Sequence, residues 1–257
     1  MKHNILLAFS FAKRDFQERY VGTGLGQFWY VLSPLITIFI YTVIFSDFMK
    51  MKLNVVDSGY AYSIYIVPGL LSWLSFSKII SLLSNSISDK SNLIQKINVP
   101  MYVFHLSIAI TEFTLFMLSI SLGVIFLLLI DYTVNINFLW MIPVMILQTI
   151  FALSLGVIIS LFVPFFKDLR ETVPIIIQLW FWMTPIIYMK EMIMNKYPLL
   201  LIYNPFYHYV HIYQDIFLYG THPTIKSLLI ITILSAFSLF IAGYLYKKMI
   251  STIKDII

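Results

Sequence analysis

A bundle of membrane-crossing helices is the fold class that this sequence predicts, and three observations predict it. Six windows close to bilayer-spanning length carry no charge: residues 21–46, 58–77, 113–130, 132–166, 172–189 and 227–246. A helix rises about 1.5 Å per residue, so about 20 apolar residues cross a hydrocarbon layer of about 30 Å. Second, 60% of the 257 residues are hydrophobic and 11% are charged, with a mean hydropathy of +0.88. Ordinary soluble domains carry roughly 25% charged residues. Third, basic residues gather in the tails and loops between the windows, where they face anionic lipid headgroups. The net charge of +5 therefore speaks for a membrane surface and not for nucleic acid.

The first element expected is an amphipathic interface helix over 1–22. Ile5, Phe9, Ala12, Phe16 and Tyr20 recur at steps of four and three, which makes one apolar stripe. Arg14–Glu18 and Asp15–Arg19 have the i,i+4 spacing that supports a helix. Such a helix lies along the inner membrane surface. It serves as an anchor for the first span, or Arg14 or Arg19 also meets the anionic headgroup of a lipid-linked substrate. Gly22, Gly24 and Gly26 then alternate in a bend; no Gly-Lys-Ser/Thr follows, so no nucleotide cradle is expected. Five charges among residues 13–19 stand where a cleavable signal would need an apolar core, so the first span is expected to act as the insertion signal.

Six spans are expected at 27–46, 60–82, 101–130, 138–163, 173–189 and 226–246. An even number puts both termini on one side. If that side is cytoplasmic, inner segments hold Lys2, Lys13, Arg14, Arg19, Lys90, Lys96, Lys167, Arg170, Lys247, Lys248 and Lys254. The outer ones hold Lys50, Lys52, Lys190, Lys196 and Lys226. That bias favours cytoplasmic termini, with Lys78 snorkelling to the inner headgroups. The segment 190–225 contains apolar pieces too short to cross, split at Asn204-Pro205. Its expected form is re-entrant or interfacial helices in an outer gate.

Two inner loops are candidates for meeting a soluble partner. In the longest, 83–100, Asn92 and Gln95 fit a capping pattern for a short helix that Pro100 must stop, with Lys96 beside it. The other, 164–173, alternates Lys167, Asp168, Arg170 and Glu171 between two prolines. Either loop is a solvated connector or a rod on which a partner pushes.

Aromatic residues form 17% of the chain and crowd the fifth span and the outer segment. Interfacial belts account for many of them. The alternative is a channel lining on whose flat faces a sugar chain slides; Trp29, Tyr30, Tyr41, Trp180, Trp182, Tyr188, Tyr203 and Tyr207 are its candidates. Glu112, an acid within the third span, must face protein or water, and a protonated, hydrogen-bonded structural lock is the expectation. His208, His211 and Asp215, with His222 nearby, have metal-ligand spacing on one helix face, but polar packing or sugar contact is the preferred reading and no metal is assigned. With no cysteine, disulfides and thiol chemistry are excluded.

These residues carry a resemblance. The run Lys13 to Tyr20, Gly24-Leu-Gly26, Trp29 and Ser33-Pro-Leu35 resembles the opening of ABC-2 type polysaccharide export permeases. Asn92 to Lys96 with Pro100, Phe165-Phe-Lys-Asp168, Gln178 to Tyr188, Asn204-Pro205, Tyr213-Gln-Asp215 and Tyr219-Gly220 are similar to that family's later blocks, in order. The resemblance implies two six-helix subunits forming a homodimeric pore in the bacterial cytoplasmic membrane. It also implies two copies of a separate ABC ATPase, which hold the ATP and Mg, docked near Asn92, Gln95, Lys96 and Asp168. The implied cargo is a lipid-linked polysaccharide: O antigen, capsule or teichoic acid. Gln214 departs from the arginine expected after Tyr213.

Three rivals are set against this. A drug or small-lipid ABC-2 permease lacks a reason for the aromatic outer segment. A membrane glycosyl- or acyltransferase needs a His or carboxylate pair at the membrane face, which only His208, His211 and Asp215 approach. An ion channel wants a charged or carbonyl-lined filter.

Overall fold

The computed structural model describes residues 2–44, 60–90, 99–194 and 196–256, and every regular element among them is helical. In chain order these are α1 (Lys2–Glu18), α2 (Trp29–Thr42), α3 (Ala61–Asp89), α4 (Met101–Leu129), α5 (Met141–Phe162), α6 (Leu169–Met183), α7 (Lys190–Met194), α8 (Pro198–Tyr203), α9 (Tyr207–Tyr219) and α10 (Ile225–Ile256). The candidates Asn92, Gln95 and Lys96 lie outside the described residues.

Among the described residues, four helices are long and apolar enough to cross a bilayer: α3, α4, α5 with its leading 3-10 turn from Ile136, and α10. α4 and α5 agree with the expected spans 101–130 and 138–163 to within three residues, whereas α3 continues to Asp89 and α10 to Ile256. The other two expected spans are shorter as helices. α2 has 14 residues and α6 has 15, a rise of about 21–23 Å.

The expected helix over 173–189 stops at Met183 because the next turn would need a donor from Pro185, which has none. Residues 184–188 instead continue as bends whose carbonyls face the bundle. Tyr62 donates its hydroxyl to the Ile187 carbonyl, Tyr65 to Tyr188 at 3.1 Å, and Gln214 Nε2 to Pro185 at 3.1 Å. Irregular backbone at membrane depth is tolerated only where protein satisfies it in this way.

α5 is the axis of the bundle, packed chiefly on α10 and α3, and α3 also carries α4 and α9. α1 lies on α4, and α6 is held chiefly by α3. Serine and threonine inside these helices mostly bond back to their own turn, as Ser107 does to Phe104 and Thr149 to Met145. A few bind across helices: Gln148 Nε2 donates to the Ser72 carbonyl at 2.9 Å, and Ser235 Oγ contacts Tyr209 Oη at 2.7 Å.

The outer segment breaks at Asn204-Pro205 as expected, and α9 is packed into the bundle. Tyr209, Tyr213 and Phe217 are fully buried. Phe206 sits 4.2 Å from the Phe76 ring, 15 residues along α3 from Ala61, or about 22 Å of helical rise. From there α9 returns to the rim, where the Asn135 and Asn137 amides donate to the Gly220 carbonyl at 2.8 and 2.7 Å. Gly220 has φ 60°, a left-handed conformation that suits glycine at a helix end.

Contacts also sort the ends of the bundle. Asn4 Nδ2 donates to Tyr102 Oη at 2.6 Å, and the Tyr102 amide to Tyr246 Oη at 3.2 Å. One end therefore gathers the start of α1, the start of α4 and the last turns of α10. The end of α3 and the start of α6 join it through the Asp89–Arg170 ion pair. The opposite end gathers the α4–α5 turn and Gly220.

α3 and α5 approach most closely at Gly156, where an added Cβ would stand 2.6 Å from Leu83 Cβ. Gly156→Ala is expected to destabilise the bundle by about 1–3 kcal/mol through overpacking. The thermal midpoint, measured by unfolding in detergent, should fall accordingly, and adding Leu83→Ala should not restore it, because alanine keeps the Cβ that the new methyl meets.

Candidate functional site

Charge, aromatic surface and loop contacts each mark a different part of the molecule. The charged part lies where α1 meets α4. Arg19 Nη1 stands 2.6 Å from Glu112 Oε1, while Nη2 holds Asp15 at 2.7 Å. Glu112 faces protein, as expected of an acid within a span, and the group that holds it is Arg19, far away in the sequence. Arg19 itself is committed to protein carboxylates, not free for a headgroup; Arg14, 71% exposed and paired to Glu18 at 2.9 Å, remains at the surface.

The turn that delivers Arg19 is well fixed. Gly22 and Gly26 adopt φ 85° and 52°, which side chains disfavour. Tyr30 folds back from α2, donates to the Phe16 carbonyl at 2.7 Å and stacks on Phe16 at 4.3 Å. The apolar stripe of α1 divides between protein and open surface. Ala8 and Ala12 are the residues buried against α4, while Ile5 and Phe9 are exposed. Small residues allow close helix approach within a membrane protein, and the larger side chains are left to face lipid.

Next to this ion pair, α2, α3 and α4 enclose a cavity of about 280 Å³. Trp29, Lys78 and Ser75 are on its wall with Arg19 and Glu112. Sequence reasoning places Lys78 near the inner surface but has no means of joining it to Arg19 and Glu112.

The aromatic candidates divide into two groups. Tyr30 is buried, Tyr41 packs against the core, and Trp180 Nε1 donates to Asn204 Oδ1 at 2.8 Å. Trp180 belongs to a cluster with Trp73, Phe76, Phe206 and Tyr209, which is packing and not a lining. Tyr188 donates to the Trp182 carbonyl at 2.7 Å. Tyr207 stacks on His211 at 5.6 Å. Trp182 and Tyr203, 58% and 77% exposed, present free ring faces. Asn204 does more than break a helix, since its amide nitrogen also reaches Thr184 Oγ1 at 2.9 Å.

His211 Nδ1 contacts Asp215 at 3.2 Å, whereas His208 turns to the Ile202 carbonyl at 3.2 Å. Among the described residues no three His, Asp or Glu side chains come together as a metal set. The third part is the loop face: exposed Asp168 stands with Phe162, Phe166 and Lys167 around an open basin, beside Arg170 and its partner Asp89.

A helical bundle with four bilayer-length helices, charges gathered at its ends and irregular backbone sealed inside defines a multi-pass membrane protein. The sequence pattern of the ABC-2 type transporter family matches residues 7–218, and the chain belongs to that family of transporter membrane components, which typically work with a separate ATPase. It is similar to the O-antigen export system permease protein RfbA of Klebsiella pneumoniae, 30% identical over 226 residues, 86% of this chain and 85% of that protein. A second K. pneumoniae protein of that name is 28% identical over 225 residues, 86% and 85% of the two chains. One from Myxococcus xanthus is 26% identical over 244 residues, 94% and 92%.

Removing one partner of a buried ion pair leaves the other charge unanswered. Arg19→Met should cost about 3 kcal/mol, the low end of that range because Arg19 keeps some water contact. The double variant Arg19→Met with Glu112→Leu should recover most of the loss in the same thermal unfolding measurement.

Proposed function

We propose that this chain is the conduit-forming subunit of an ATP-driven exporter of a lipid-linked polysaccharide across the bacterial cytoplasmic membrane. O antigen is the foremost cargo, with capsule or teichoic acid behind it. The observation that carries this reading is similarity to O-antigen export permeases over most of the chain's length. On this reading α2 and α6 complete a six-span subunit and both termini are cytoplasmic. Two copies pair as a homodimer above two copies of the ATPase, and ATP and Mg belong to that partner.

The geometry supplies a route for the push. The ATPase docks on the loop within 83–100 and on the basin around Asp168. α3 carries the displacement to Asp89, whose ion pair with Arg170 passes it to α6. An exposed ion pair contributes at most about 1 kcal/mol, so it acts as a register contact that can be remade at each stroke. α6 suits the moving part because α3 is its chief support. Its free face then carries Trp182 towards the sugar, and Tyr203 offers a second sliding surface. Trp29, Tyr188 and Tyr207 are secondary candidates, and Arg14 is a surface contact for the anchor.

Reconstitution tests this division of labour. Vesicles holding the chain with its ATPase should move lipid-linked glycan when given ATP, while the chain alone should neither hydrolyse ATP nor move glycan. Export of small apolar compounds without glycan would instead identify a drug or lipid permease. Asp89→Arg or Arg170→Asp alone should lower glycan transport per ATP hydrolysed several-fold, and the charge-swapped pair should regain it.

A further inference from the structure

We propose that the cavity between α2, α3 and α4 is a binding site for the phosphate of an amphiphile's headgroup, with Lys78 as the cation that meets it. The inference requires that the chain span a bilayer but does not depend on which cargo it moves.

The walls of the cavity are graded along the helices. On α3, Lys78 lies one turn from Leu74 and two from Leu71; on α4, Glu112 is followed one turn later by Phe116, and all five line the cavity. On α2, Trp29 gives way to Pro34 and then Thr37, and on α4 Ser119 follows Phe116; both hydroxyls donate to their own turns, so the far end is uncharged. The polar end is also where charge stops on these helices. Residues 61–77 and 113–129 contain none, and Lys78 and Glu112 are the first charges beyond. A molecule filling such a space carries its polar group at one end and hydrocarbon at the other.

The charges decide the sign of the head. Arg19 is shared by Asp15 and Glu112, so both carboxylates are answered. Lys78 makes no ion pair among the described residues. A flexible ammonium at a membrane surface takes a phosphate as a point charge, without needing bidentate geometry. One turn away, Ser75 Oγ is buried on the same wall and has no hydrogen-bond partner. A buried hydroxyl left unpaired is costly, and a phosphate oxygen would accept its proton. Glu112 lies within the field of Lys78, but its carboxylate is 5% exposed and paired with Arg19, which leaves the ammonium without an ion-pair partner of its own.

The test is lipid retention by the full chain released from nanodiscs into a native mass spectrometer. Discs contain phosphatidylglycerol, polyprenyl diphosphate or neutral diacylglycerol. Wild type should keep a phosphate-bearing lipid and lose diacylglycerol. Lys78→Gln should lower that retention about five-fold, the effect of one lysine near an anionic surface. Lys78→Arg should preserve it, and Lys248→Gln, at the exposed end of α10, should leave it unchanged. Lys78-dependent retention of phosphatidylglycerol alone assigns the site to membrane phospholipid. Retention of polyprenyl diphosphate alone assigns it to a cargo anchor, and retention of both assigns it to phosphate generally. Equal retention of diacylglycerol, or retention indifferent to Lys78→Gln, overturns the proposal. Glycan export measured on the same variants reports separately on the exporter reading.

Discussion

Hydrocarbon offers no hydrogen bonds, and that single constraint organises this chain. Each polar group must find a partner inside the protein or be carried to an end of the bundle. Backbone groups comply by forming helices. Where the helix fails, after Met183, the carbonyls of Pro185, Ile187 and Tyr188 are met by Gln214, Tyr62 and Tyr65. Ionised side chains comply by collecting at the ends, and Glu112 complies through Arg19. The ion pair therefore fixes how α1 and the α1–α2 turn sit against α4, and through them the wall of the cavity beside α2.

The same constraint separates rigid parts from parts free to move. α3, α5, α9 and α10 share a core in which rings stack from Trp73 to Tyr209, and an intrusion such as a Cβ on Gly156 has no room. α6 shares less of it: Val173 is buried and Ile177, Trp180 and Phe181 pack partly against the core, while Ile175, Ile176, Leu179 and Trp182 stay exposed. An element held by fewer contacts than its neighbours is the one that moves at least cost. Asp89 and Arg170 join the two at the end where basic residues gather.

Much of the fold was legible in the sequence because bilayer thickness writes itself as length. The uncharged windows locate the long helices, and Asn204-Pro205 marks the break before α9. What was not legible depends on partners distant in sequence. Nothing local tells Glu112 that Arg19 will face it. Nor does the stripe of α1 say which of its members meets α4: Ala12 is buried there while Ile5 and Phe9 stay exposed, because in lipid the small residues take the protein face. Aromatic crowding could not separate Trp180, sealed against Asn204, from Trp182, which projects outward one turn's breadth away. The expected docking residues Asn92, Gln95 and Lys96 fall outside the described residues.

The central claim is that the end joining Asn4, Tyr102 and Tyr246 faces the cytoplasm and the end joining Asn135 to Gly220 faces outward. Because the chain has no cysteine, it is its own background for single-cysteine labelling in intact cells with a membrane-impermeant maleimide. Cysteine at Thr133 or Thr221 should label from outside, and cysteine at His3, Lys167 or Lys248 should label only after the membrane is opened. External labelling at His3 or Lys248, or protection of both Thr133 and Thr221, would contradict the account.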